Sequence, residues 1–242
     1  MIMLNKTEQK LSIEAREWIK HHEQELCQKF ADLKKHPPVE KPITLLMAGS
    51  PGAGKTEFSK NFNQEVVEIL KIPSNAVRID TDEIRDFVPG YTGKNSDVIH
   101  SAANLGVDKI YQFALKHRQN VILDGTFANY DKSCENINRS LKKNRTIGIF
   151  YVYQDPLVAW EFTKGREKLE GRFVPKEVFV SALFNAKSNV NRAKKEFGNK
   201  IIVFAIEKNY DNSVKKTYFN IENIDSHITI RYTEDSLNNL LN

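Results

Sequence analysis

The sequence predicts an α/β fold: a parallel sheet of about five strands with helices on both faces, an N-terminal helix and a small β-rich C-terminal extension. Three observations carry this. Apolar runs such as Ile43–Ala48 and Ile201–Ile206 are strand-sized. Segments of helical periodicity alternate with them, and a glycine-rich turn follows the first run directly.

Taken in order, Leu11, Ala15, Trp18, Ile19, Leu26, Phe30 and Leu33 recur mostly at spacings of three, four and seven, which predicts one amphipathic helix from Leu11 to Leu33. His36-Pro37-Pro38 ends it, because proline lacks an amide hydrogen and restricts the residue before it; a polar linker runs to Pro42. A buried strand, Ile43–Ala48, leads into the turn and a helix from Gly54 to Leu70. A strand at Ala76–Ile79, a long helix at Ser96–Lys116, a strand at Asn120–Asp124, a helix at Tyr130–Lys143 and strands at Thr146–Tyr153 and Ile201–Ile206 continue the alternation. The Lys-rich segments 142–145 and 194–200 read as solvated helix ends. Beyond Glu207 the pattern changes to short β-like runs, Lys216–Ile221 and His227–Arg231, and a helix at Glu234–Leu241. The expected division is residues 1–40 as helix and linker, 41–207 as the core, and 208–242 as an extension of the same domain.

Composition narrows the classes. Among 242 residues, 40% are hydrophobic and 14 are Phe, enough for a packed core and against wholesale disorder. The apolar runs fall far short of the roughly 20 residues of a membrane helix, and the N-terminus lacks an export signal's basic and apolar regions. Cys27 and Cys134 cannot build a disulfide framework, so a cytoplasmic protein with reduced thiols is expected. The excess of 36 Lys and Arg over 31 Asp and Glu suits nucleic acid, an anionic small substrate or mere solubility.

The chemistry begins at Gly49-Ser50-Pro51-Gly52-Ala53-Gly54-Lys55-Thr56, a phosphate-loop pattern between a strand and a helix. Successive backbone amides there point at one anion, and the helix N-terminus adds partial positive charge. Lys55 neutralises β and γ phosphates, and the Thr56 hydroxyl is placed to ligate Mg²⁺. The motif predicts binding of a nucleoside triphosphate, ATP or GTP.

Ligands of open parallel sheets sit beyond the carboxyl ends of the strands, so those ends identify the other candidates. The second strand runs into Asp80-Thr81-Asp82-Glu83-Ile84-Arg85, where one aspartate can cap a short helix and another can take a proton from an acceptor hydroxyl. Arg85 is placed to pair with Asp82 or to hold the acceptor. The third strand closes on Asp124-Gly125-Thr126, which suits a Mg²⁺ ligand, directly or through water, and equally an ordinary turn. After the fourth strand, Arg166 and Arg172 lie six residues apart in a glycine-punctuated segment that reads as a lid; arginines closing on a transferring phosphate contribute about 10³ to 10⁵ in rate.

Together the phosphate loop, Asp82-Glu83-Ile84-Arg85 with the following Pro89-Gly90-Tyr91, Asp124-Gly125-Thr126 and the paired arginines resemble the zeta toxin kinases, over roughly residues 8 to 195. That resemblance implies a P-loop kinase fold and phosphorylation of the 3′-hydroxyl of UDP-N-acetylglucosamine. Asp82 matches the catalytic base, Lys55 the phosphate-loop lysine, Arg166 and Arg172 the γ-phosphate arginines, and Thr126 a substrate-contacting threonine. It also implies an antitoxin partner near the N-terminal helix. The chain departs from the family at two points: Asp124 stands where a glutamate is usual, and Ala128 where an arginine helps to hold the sugar nucleotide.

The closest rivals are a 5′-hydroxyl polynucleotide kinase and a small-metabolite kinase. The first lacks the expected stripe of basic and aromatic residues that tracks a nucleic-acid backbone. A nucleotide-dependent binding module is the non-enzymatic alternative, and the intact set Lys55, Thr56, Asp82, Arg166 and Arg172 counts against it.

Overall fold

The computed structural model describes residues 5–61, 76–171 and 173–241. The chain opens with two helices, α1 (Lys6–His21) and α2 (Glu23–Ala31), where the periodicity predicts one. The break falls at His22. Its backbone leaves helical geometry (φ −106°, ψ 22°), its ring nitrogen Nδ1 lies 2.8 Å from the Trp18 carbonyl oxygen, and its ring stacks on Trp18 at 4.1 Å.

Six strands follow: β1 (Ile43–Ala48), β2 (Val77–Asp80), β3 (Val121–Asp124), β4 (Thr146–Tyr153), β5 (Ile202–Lys208) and β6 (Val214–Tyr218). They form one sheet in the order β2-β3-β1-β4-β5-β6, parallel except for β6, which pairs antiparallel with β5. The sheet therefore has one strand more than expected, drawn from the C-terminal extension. The second β-like run there, residues 227–231, forms no strand. Ile228 is buried in the main core and Ile230 packs against a separate cluster around Trp160 and Phe179, so the alternating apolar residues act as plugs without a partner strand.

The remaining helices are α3 (beginning at residue 55 and described to 61), α4 (Thr81–Arg85), α5 (Ser96–Lys116), α6 (Tyr130–Leu141), α7 (Pro156–Glu170), α8 (Lys176–Phe197) and α9 (Glu234–Leu240). Residues 62–70 of the expected phosphate-loop helix lie outside the described residues. Strand alternation divides the core between the two faces of the sheet. Leu46 and Ala48 face the cluster built with α1, α2, α5 and α8, whereas Leu45 and Met47 face a smaller cluster with Ala53 and Phe58. Gly106 lets α4 approach α5: a Cβ there would stand 2.7 Å from Cγ2 of Ile84, the buried residue of α4.

Segments 142–145 and 194–200 are not simply solvated. Lys194 is 2% exposed, lies 3.4 Å from Glu222 and donates to the carbonyls of Gly198 and Ile201. Arg145 is 4% exposed and donates to Thr44 Oγ1 (2.7 Å) and to the carbonyls of Ile43 (2.5 Å) and Gln119 (2.6 Å). Ser140 and Tyr111 extend this network, which fastens the start of β1 to α5 and α6. Burial pulls the Arg145 guanidinium down to about 10, still charged at neutral pH. Arg145→Met is expected to cost about 3 kcal/mol, because it strands buried acceptors, and to move the urea unfolding midpoint accordingly. A midpoint within error of the unmodified protein would contradict this role.

Candidate active site

The carboxyl ends of β1, β2 and β3 meet α7 around one cleft of about 480 Å³. Pro51, Gly52, Gly54, Lys55 and Thr56 from the phosphate loop line it, with Asp82 and Arg85 from α4, Asp124 and Thr126 after β3, and Arg166 from α7. Ser50 and Ala53 are buried in the loop (2% and 0% exposed), and the Gly49 amide donates to the Thr126 carbonyl (3.0 Å). Arg172 lies outside the described residues.

Two glycines make the loop's course possible. Gly52 has φ +71°, and a Cβ there would fall 2.0 Å from the Ala159 carbonyl oxygen of α7; Gly54 has φ +79° and is covered by Asn212, whose Oδ1 would be 2.3 Å from a Cβ. Larger residues would meet both a backbone penalty and a collision. Lys55 is 8% exposed, and its Nζ donates to the Ser50 carbonyl at 2.6 Å. The amine thus rests against its own loop.

Parallel pairing sets Asp80 of β2 opposite Asp124 of β3. Arg78, two residues before Asp80 and on the same face, sits between them: Nη1 donates to Asp80 Oδ2 (2.9 Å) and Asp124 Oδ2 (2.7 Å), and Nη2 to Glu83. Ser59 of α3 donates to the same Asp124 oxygen (3.0 Å). Burial, followed by the Asp80 charge, holds the Asp124 carboxyl above its ordinary pKa. A cation approaching Asp124 and the Thr56 hydroxyl would relieve that imbalance. Among the described residues, no cluster of three His, Cys, Asp or Glu offers an all-protein cage. The donor set therefore suits a hard ion that keeps water and phosphate oxygens as ligands.

The geometry also settles which aspartate caps α4. Asp80 Oδ1 accepts from the Asp82 amide (2.9 Å), so Asp82 is not consumed as a cap; its carboxylate turns to the cleft and accepts from Arg85 Nη1. Thr126 Oγ1 accepts from the Ala128 amide (3.3 Å), and Asn189 of α8 donates to the carbonyls of Phe127 (3.1 Å) and Ala128 (2.8 Å). Asn129 caps α6 through the Lys132 amide (3.0 Å). Arg85 and Arg166 thus join Lys55 as cations of the cleft, and Ala128 does not line it.

Sequence reasoning missed Arg78, Ser59 and His100. The period-two placement of Arg78 and Asp80 on one strand was the available signal for the first. Ser59 and His100 reach the site only through folding.

The structure is similar to one described as the PezAT chromosomal toxin–antitoxin system of Streptococcus pneumoniae, with 18% identity, a TM-score of 0.63 and coverage of 99% of this chain and 88% of that one. It is also similar to the AvrRxo1-ORF1:-ORF2 complex solved with ATP, with 13% identity, a TM-score of 0.61 and coverage of 85% and 65%, respectively. At such identities these likenesses establish the fold. No curated protein matches in sequence. The zeta toxin profile does match, over residues 28–222, a span that runs from α2 through the phosphate loop and α4 to beyond β6. With that match and a kinase-like fold, the chain belongs to the zeta toxin family.

Proposed function

We propose that the protein transfers the γ-phosphate of ATP or GTP to a sugar hydroxyl, the 3′-hydroxyl of UDP-N-acetylglucosamine or a related nucleotide sugar. The observation that carries this reading is the division of labour between two aspartates. Asp80 caps α4, and Asp82 stands on the cleft facing the phosphate loop.

The loop amides and Lys55 bind the β and γ phosphates, Lys55 exchanging its bond to the Ser50 carbonyl for phosphate oxygens. Asp82 takes the proton of the acceptor hydroxyl as its oxygen attacks the γ-phosphorus. That new O–P bond replaces the bond to the β–γ bridging oxygen, and the nucleoside diphosphate leaves. Arg166 neutralises charge on the transferring group, and Arg172 is assigned the same task by family resemblance. Thr56 and Asp124, the latter directly or through water, would hold a magnesium ion, which supplies charge neutralisation on the β and γ phosphates. Phe162, Leu169 and Val174 give the cleft an apolar side. The partner proposed from the family is an antitoxin at α1 and α2, and the proposed setting is the cytoplasm.

Ala128, in place of the family arginine, favours a second reading in which the acceptor is a hydroxyl-bearing small metabolite or a 5′-hydroxyl end. Labelled ATP offered with UDP-sugars, small metabolites and 5′-hydroxyl oligonucleotides separates the readings. Label on UDP-N-acetylglucosamine supports the first, and label confined to an oligonucleotide rejects it.

Asp82→Asn should lower transfer by about 10³-fold or more while leaving nucleotide affinity within about twofold, because the phosphate loop is untouched. Turnover equal to the unmodified protein would remove Asp82 as base. Asp124→Asn should slow transfer yet raise the melting temperature of the ligand-free protein. The sign follows from the raised Asp124 pKa: its ionised form is disfavoured in the fold at neutral pH. A lowered melting temperature would show that the pairing with Arg78 outweighs burial.

A further inference from the structure

Arg85 is held against Asp82 by something besides Asp82. Its side chain is 11% exposed, and its Nε is buried without a hydrogen-bond partner among the described residues. The guanidinium is therefore oriented through its two terminal nitrogens: Nη1 donates to Asp82 Oδ1, and Nη2 lies 3.1 Å from Nδ1 of His100 on α5. A guanidinium can only donate, so His100 Nδ1 must be the acceptor, and the imidazole is neutral with its proton on Nε2. Asn104, one turn along α5, stands with Nδ2 3.0 Å from Nε2, and the Nε2–H tautomer needs that amide turned over so that Oδ1 accepts.

The result is a chain, Asn104–His100–Arg85–Asp82, in which Arg85 donates to both of its neighbours and which runs from α5 to the cleft. Without His100, Arg85 keeps one fixed end and can swing about its bond to Asp82. Rotation of that kind carries the carboxylate away from the line of attack, and displacements of about 1 Å suffice to slow a reaction. Resting on the reading of Asp82 as base, we infer that His100 is a positioning residue of phosphoryl transfer: its neutral imidazole accepts from Arg85 and fixes the orientation of Asp82. The role belongs to the Nδ1 position and not to a charge. An asparagine, whose Oδ1 occupies nearly the same place, should therefore substitute for it, and a leucine of similar bulk should not.

Two measurements test this. Nitrogen-15 NMR of the ligand-free protein should show His100 as the Nε2–H tautomer with Nδ1 unprotonated. It should also show the Arg85 Nη protons in slow exchange, preserved in His100→Asn and lost in His100→Leu. Steady-state transfer to UDP-N-acetylglucosamine, or to whichever acceptor of the panel takes the label, should fall about tenfold in kcat for His100→Leu, with KM for ATP within about twofold, and recover to within about threefold in His100→Asn. An Nδ1–H tautomer, or slow Arg85 exchange retained in His100→Leu, overturns the inference without any acceptor in hand. Equal kcat in His100→Leu and the unmodified protein also overturns it. Asp82→Asn measured alongside separates the failures: if that variant is inactive while His100→Leu is unaffected, the base stands and the positioning role falls.

Discussion

Two carboxylates at the ends of adjacent parallel strands, in register, impose the constraint on which this site depends. Asp80 and Asp124 face each other across the β2–β3 pair, and both side chains are largely buried, 9% and 4% exposed. Like charges so placed repel strongly when water is excluded. Arg78 resolves the conflict because its guanidinium is planar and multiply donating, and so reaches Asp80, Asp124 and Glu83 together. Burial alone would lower the Arg78 pKa, but the three carboxylates raise it, so the cation persists.

The geometry of the site follows from that arrangement. With Asp80 fixed by Arg78, its second oxygen caps α4, and the cap sets the start of the helix that presents Asp82 and Arg85. Ile84 seats the other side of α4 against Gly106, so the same short helix is pinned by a polar contact at its start and an apolar one at its back. On the neighbouring strand, Asp124 is drawn toward Arg78 and Ser59, close to the phosphate loop and Thr56. Burial, and then the Asp80 charge, still hold the Asp124 carboxyl above its ordinary pKa.

What was legible in the sequence followed range. The phosphate loop was readable because its geometry is local: glycines, lysine and threonine at fixed spacing between a strand and a helix dictate an anion cradle wherever they occur. The alternation of strands and helices likewise announced the sheet. Asp80 and Asp82 were both visible as candidates, but the choice between cap and base depends on backbone angles, and only the observed cap decides it. The break at His22 was hidden because apolar spacing continues across it; a histidine bonding back to the Trp18 carbonyl leaves no mark in periodicity. Residues 227–231 misled for the converse reason, since alternating isoleucines bury equally well in a loop that crosses two clusters. Ser59 and His100 could not be found at all, because 65 residues separate Ser59 from Asp124 and 15 separate His100 from Arg85.

Whether one bridging cation organises the site can be read from the single-turnover transfer rate of Arg78→Lys. Lysine keeps the charge but cannot donate to three carboxylates in one plane. The expected outcome is a folded protein whose transfer is slowed at least about tenfold, because Asp80 and Asp124 lose their common anchor. An undiminished rate in the folded variant would contradict it.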